Sequence, residues 1–323
     1  MDERERSLVD HLTQDYQEGR LSRRDFLWRA AILTGGSALA LTAAGSLACG
    51  EAATPTLAPA AIATAIPPTP TAAPTSAPVP ASPLEPGMMV SPTDPRIQAG
   101  PLEFPGDAGM VKGYLARPQG AGPFPAMLVI HENQGMQPHF TDVARRLAVE
   151  GYAALAVDLL SRKGGTPADT ALAQTTQGEI PAEQRLADAQ AGLRHLQGLS
   201  YVRRDRVGVT GFCYGGGVTW LLAVRNPEVR AAVPFYGSTP PLAEVPNLKA
   251  AVLGIYAGND TRLNAGIPDL EAALKQNQKT YEFVTYAGAD HAFFNPARTQ
   301  HNVAASEQAW TKMLGWLDQY LKK

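Results

Sequence analysis

The chain has 323 residues, with 28 Lys plus Arg against 30 Asp plus Glu and a formal net charge of -2. That balance excludes a protein that gathers polyanions through bulk electrostatics, so no nucleic acid partner is expected. The 2 cysteines lie far apart in separate motifs, which argues against a disulfide framework and leaves a hydrophobic core to hold the fold.

Near the start, Ser22-Arg23-Arg24-Asp25-Phe26-Leu27 precedes a weakly apolar run, Ala30 to Ala48, that contains Gly35, Gly36 and Gly45. This resembles a twin-arginine export signal, with Trp28 intervening before Arg29. So weak a run suits a signal better than a membrane span of about 20 strongly apolar residues, the alternative being an uncleaved anchor helix. Leu47-Ala48-Cys49-Gly50 is similar to the end of a bacterial lipoprotein signal, although the leucine stands one position closer to the cysteine than usual. Cys49 is thus a candidate lipidation site, or else incidental to ordinary cleavage after an Ala-rich stretch. Two or more acyl chains there would anchor the protein without a transmembrane helix. Next comes a low-complexity Pro/Ala/Thr stretch, including Ile66-Pro67-Pro68-Thr69-Pro70-Thr71, which reads as a semi-extended spacer. The expected division is an export signal over 1–49, a linker over 50–96 and a catalytic domain over 97–323. The only expected membrane contact is the lipid anchor, and a monomer is expected.

The remainder alternates strands with helices. Ala126 to Ile130 is a continuous apolar run that ends at polar His131-Glu132-Asn133, as a buried parallel strand does where its carboxyl end opens on a site. Further strands are expected at Tyr152 to Val157, Val207 to Thr210, Ala231 to Phe235, Ala251 to Tyr256 and Thr280 to Tyr286. The intervening helices are Phe140 to Glu150, Ala182 to Gln197, Gly217 to Arg225, Ile267 to Gln276 and Val303 to Leu321. The pattern implies an α/β fold, with a mostly parallel central sheet, helices on both faces and a ligand site at strand carboxyl ends.

Within it, Val207-Gly208-Val209-Thr210-Gly211-Phe212-Cys213-Tyr214-Gly215-Gly216-Gly217 has the form of a nucleophile elbow, the mark of an α/β-hydrolase fold. The bend is so tight that positions two before and two after the nucleophile must be almost free of side chain, and Gly211 and Gly215 satisfy this. Cys213 stands where a serine is usual, and the helix behind it favours a thiolate and a later oxyanion. The bland reading is an inert buried cysteine in a glycine-rich packing turn. In this fold an acid and then a histidine follow the nucleophile along the chain. Asp260 and His291 each follow a strand through a short loop and fit that order. Asp269 falls within a helix, and Asp290 is too close in sequence to orient its neighbour's ring. His131 is the other candidate base, but it precedes the elbow and more naturally packs or hydrogen-bonds locally.

Four segments now carry a resemblance: Val129-Ile130-His131-Glu132-Asn133-Gln134-Gly135, Gly211-Phe212-Cys213-Tyr214-Gly215-Gly216-Gly217, Asn259-Asp260-Thr261-Arg262 and Asp290-His291-Ala292-Phe293. From about Gly100 onward the chain resembles the dienelactone hydrolases, also called carboxymethylenebutenolidases. The resemblance implies an ester- or lactone-cleaving enzyme that needs no cofactor and takes a small-molecule substrate. It implies a Cys213, Asp260 and His291 triad, and a Glu132 that contacts the resting thiol and helps deprotonate it once substrate binds; the alternative for Glu132 is a structural carboxylate. It also implies an oxyanion hole from the backbone N–H groups of Asn133 and Tyr214. Members that degrade aromatics hold a substrate carboxylate with arginines, one shortly after the histidine. Here Ala292-Phe293-Phe294-Asn295-Pro296-Ala297-Arg298 lacks one at the closest position. Arg262 is a candidate carboxylate contact or a surface ion-pair partner, and Tyr236 a pocket or packing aromatic. The rival functions are a non-catalytic tethered binding protein and an acyltransferase or peptidase on the same framework.

Overall fold

The computed structural model describes residues 87–323. The expected export signal, Cys49 and most of the linker lie outside the described residues. Eight strands form one sheet in the order β1-β2-β4-β3-β5-β6-β7-β8. They are β1 (Ile97–Gly106), β2 (Gly109–Pro118), β3 (Phe124–Ile130), β4 (Ala153–Val157), β5 (Val202–Phe212), β6 (Val229–Phe235), β7 (Ala251–Ala257) and β8 (Tyr281–Tyr286). β1 and β2 pair antiparallel, β2 pairs antiparallel with β4, and the other neighbours run parallel. The helices are α1 (Pro138–Val149), α2 (Thr170–Glu179), α3 (Ala182–Gly198), α4 (Tyr214–Arg225), α5 (Thr261–Asn264), α6 (Ile267–Gln276) and α7 (Val303–Leu317). Among the described residues no helix is long and apolar enough to cross a membrane.

The apolar run in β3 is continuous because both faces of the strand are covered, and the pleat sends alternate residues to opposite sides. Met127 and Val129 join a core with Phe140 and Val143 of α1 and Ala309 and Met313 of α7. Ala126, Leu128 and Ile130 join a second core with Leu186 and Leu193 of α3, Leu222 of α4 and Leu270 of α6. Sheet order reverses between β3 and β5, with α1 and α4 leaving toward opposite faces. In open α/β sheets the carboxyl ends of the strands on either side of such a reversal are where ligands bind.

Two readings from sequence need correction. The antiparallel β1–β2 hairpin and α2 were not expected; β1 carries Gly100, Pro101, Pro105 and Gly106, which punctuate its pattern. The end of the expected linker is also folded onto the domain. Asp142 Oδ1 accepts the Met89 and Val90 backbone N–H groups at 3.0 and 2.9 Å, while Arg145 Nε donates to Val90 O at 2.6 Å. Composition alone does not reveal this clamp, since its polar partners sit some fifty residues further along.

Candidate active site

β5 runs into α4 through Cys213, whose backbone adopts φ 55 and ψ -115. Such a conformation costs a non-glycine residue about 1–3 kcal/mol and persists only where the surroundings enforce it. They do so here by close approach. A Cβ on Gly211 would stand 2.3 Å from Gly215 O, and one on Gly215 would stand 2.5 Å from the carbonyl oxygens of Ile130 and His131. The Cys213 N–H also donates to Phe235 O at 3.1 Å, tying the elbow to the end of β6. The helix begins at Tyr214, three residues earlier than expected.

The backbone N–H groups of Tyr214 and Asn133 favour the anion of the Cys213 sulfur. Burial outweighs them and, with the nearby Glu132 charge, pushes the Cys213 thiol up to about 11. At rest the Cys213 side chain is therefore a neutral thiol. Among the described residues its sulfur has no hydrogen bond to the His291 ring. Since the folded-state value is raised, the thiolate is the minor form at neutral pH, on the order of 10⁻⁴ of the molecules near pH 7. Without substrate, alkylation by iodoacetamide should be slow near pH 7 and quicken about tenfold per pH unit up to about pH 11. A pH-rate profile that levels off by about pH 8 would contradict this environment.

His291 and Asp260 form a pair. Asp260 caps α5 at the end of β7, accepting the Leu263 N–H on Oδ1 at 3.3 Å, while its Oδ2 lies 2.5 Å from His291 Nδ1. His291 follows β8, and Asn259 binds this loop twice: its N–H donates to Ala289 O at 3.0 Å and its Nδ2 to Asp290 at 2.8 Å. Asp290 is thus engaged away from the ring, and Asp269 lies in α6 as expected. The loop turns back across the sheet. Phe294 stacks on Phe212 with ring centroids 5.3 Å apart, and His291 comes to 5.0 Å from the Tyr236 ring.

Tyr236, in a left-handed conformation at φ 36, is completely buried, so it packs rather than offering a surface to solvent. It lies beside both Cys213 and His291, and its hydroxyl donates to Glu132 Oε1 at 3.4 Å. Burial foremost, then the Glu132 charge, raises its phenol well above the ordinary range. Glu132 is also buried. Arg298 grips its Oε2 with Nε at 3.1 Å and Nη2 at 2.8 Å, and Asn295 Nδ2 adds a bond at 3.3 Å. Arg298 and Asn295 were not singled out from sequence as partners of Glu132, because 163 or more residues separate them from it. Arg262 lies exposed at the start of α5 and makes no hydrogen bond or ion pair among the described residues. His131, the rival base, is fully buried and bonded to backbone, and burial foremost depresses its basicity. Among the described residues no group of three or more His, Cys, Asp or Glu side chains could hold a metal ion.

The domain that carries this elbow and the Asp260–His291 pair is similar to known proteins over most of its length. The family model for the "Dienelactone hydrolase family" matches residues 111–321. The chain belongs to the dienelactone hydrolase family. A provisionally named carboxymethylenebutenolidase of Methylorubrum extorquens is 35% identical over 236 residues, covering 69% of this chain and 81% of that protein. One of the same provisional name from Salmonella typhi is 36% identical over 261 residues, covering 74% and 94%. Among solved structures, a provisionally named dienelactone hydrolase of Klebsiella pneumoniae subsp. pneumoniae superposes with a TM-score of 0.63 at 33% identity, covering 69% of this chain and 99% of that one. The protein is thus a hydrolase of the dienelactone hydrolase family with that family's α/β-hydrolase fold.

Proposed function

We propose that the protein is a cysteine hydrolase that cleaves a carboxylic ester or lactone through a thioester on Cys213. The observation that carries this reading is the strained thiol at the elbow, in a domain whose Asp260–His291 pair is already formed at 2.5 Å. The thiol proton passes to His291, with the Glu132 carboxylate assisting its removal once substrate is bound. The sulfur then attacks the carbonyl carbon, and the oxyanion lies between the N–H groups of Asn133 and Tyr214. As the tetrahedral adduct collapses, the C–O bond breaks and imidazolium protonates the departing oxygen. Water next gives a proton to His291 and adds to the thioester; the acid leaves, and the sulfur recovers its proton from the ring. Asp260 holds the tautomer that makes both transfers possible.

The export-signal resemblance and the Cys49 motif support a location outside the cytoplasmic membrane on a lipid tether. An external ester, lactone or acylated polymer suits that location better than a cytosolic intermediate does. Acid quenching of the protein mixed with a short aryl ester should leave one acyl group on the peptide that contains Cys213, detected by mass spectrometry. Acylation elsewhere, or none during steady turnover, would rule out the thioester route.

A further inference from the structure

The backbone between β3 and α1 supplies Asn133, one of the two residues whose N–H groups favour the Cys213 thiolate, and it is held at both ends by groups from the segment after β4. At one end, the Leu159 backbone N–H donates to His131 Nε2 at 3.0 Å. A backbone N–H can only donate, so Nε2 must accept and the ring proton resides on Nδ1. That proton is directed at Glu132 O, 2.6 Å away, which also accepts the Gly135 N–H at 3.2 Å. The turn containing Asn133 is thereby closed on one carbonyl. At the other end, the Met136 N–H donates to Thr166 Oγ1 at 2.8 Å. Thr166 in turn donates through Oγ1 and its backbone N–H to the two oxygens of Asp158, at 2.8 and 2.7 Å. Asp158 Oδ1 accepts the Leu160 N–H at 3.0 Å as well, so the carboxylate is fixed by three donors. The fit around Thr166 is close: Gly135 has φ 77, and a Cβ there would meet Thr166 Oγ1 at 2.4 Å.

We infer that Asp158, Thr166 and neutral His131 are positioning residues that brace the Asn133 N–H toward the developing oxyanion. The inference rests on the acyl-transfer reading above. An oxyanion donor is effective only if its place is fixed before the charge develops, and a backbone N–H on a loop has no rigidity of its own. Here the segment after β4 supplies that rigidity, so the turn from Asp158 to Thr166 belongs to the catalytic framework although it carries no reacting group.

Thr166→Val removes both the acceptor for Met136 and the hydroxyl donor to Asp158, leaving the backbone donor, with almost no change in volume, and Thr166→Ser keeps all three. In the valine variant kcat for a short aryl ester should fall about tenfold to a hundredfold with KM changed by less than about twofold, and serine should restore kcat to within about threefold. Alkylation of Cys213 requires the thiol but no oxyanion hole. Its rate should change by less than about threefold. Independently of turnover, amide hydrogen exchange at Asn133 and Met136 should quicken about tenfold in the valine variant. Unchanged exchange, an unchanged kcat, or an alkylation rate that falls in step with kcat would overturn the brace. Failure of the acyl-transfer reading would show differently: the unaltered enzyme would form no Cys213 thioester while exchange still responded to valine.

Discussion

Cys213→Ala is expected to lower kcat for aryl-ester hydrolysis by at least about 10⁴-fold, because loss of a covalent nucleophile removes the step on which every other group in the site depends. The rest of the site should persist. Gly211 and Gly215 impose the elbow by backbone contact, and the Cys213 N–H bond to Phe235 O does not involve the sulfur. Alanine accepts the same φ at a similar strain, so thermal unfolding should shift little. Steady-state kinetics with a melting curve checks both statements. A folded variant that keeps a tenth or more of its activity would remove the nucleophile from the mechanism.

Asp260→Asn should have the next largest effect, a fall in kcat of about 10³- to 10⁴-fold. Oδ1 of Asp260 accepts the Leu263 N–H, while Oδ2 faces His291 Nδ1. Asparagine must keep its oxygen toward that backbone donor, because the reverse arrangement would set two donors against each other. Its NH₂ then points at Nδ1, which becomes an acceptor and drives the ring proton to Nε2. The nitrogen meant to receive the thiol proton is thereby occupied. Nitrogen NMR of the ring should report the tautomer change, and kinetics the loss. A decrease of less than about tenfold would mean that Asp260 does not orient the base.

The local geometry of the site was legible where neighbours along the chain determine it. The elbow follows from glycine spacing around Cys213, and the Ala126 to Ile130 run indicates a strand covered on both faces, as found. Elements whose identity depends on distant partners were harder to read. The β1–β2 hairpin, broken by prolines and glycines, becomes sheet because β2 finds β4. Residues 88–90 looked like spacer because their hydrogen-bonding partners, Asp142 and Arg145, lie on α1. Tyr236 could be read from sequence as lining a pocket or as packing; burial between the elbow and the histidine loop makes it a packing residue whose hydroxyl meets Glu132.

By itself the sequence determined the alternation of the main strands and helices from β3 onward, α2 excepted, the sharp bend that presents a thiol, and the placing of Asp260 and His291 after later strands, since each depends on local backbone geometry and hydrophobic period. Only the tertiary structure decided the electrostatics around that thiol. The loop after β8 folds back to bring Arg298 and Asn295 onto Glu132, and burial leaves the sulfur protonated at rest. The physical reason is range. Turn and strand preferences act over a few residues, whereas desolvation and ion pairing depend on which distant segments the fold packs together.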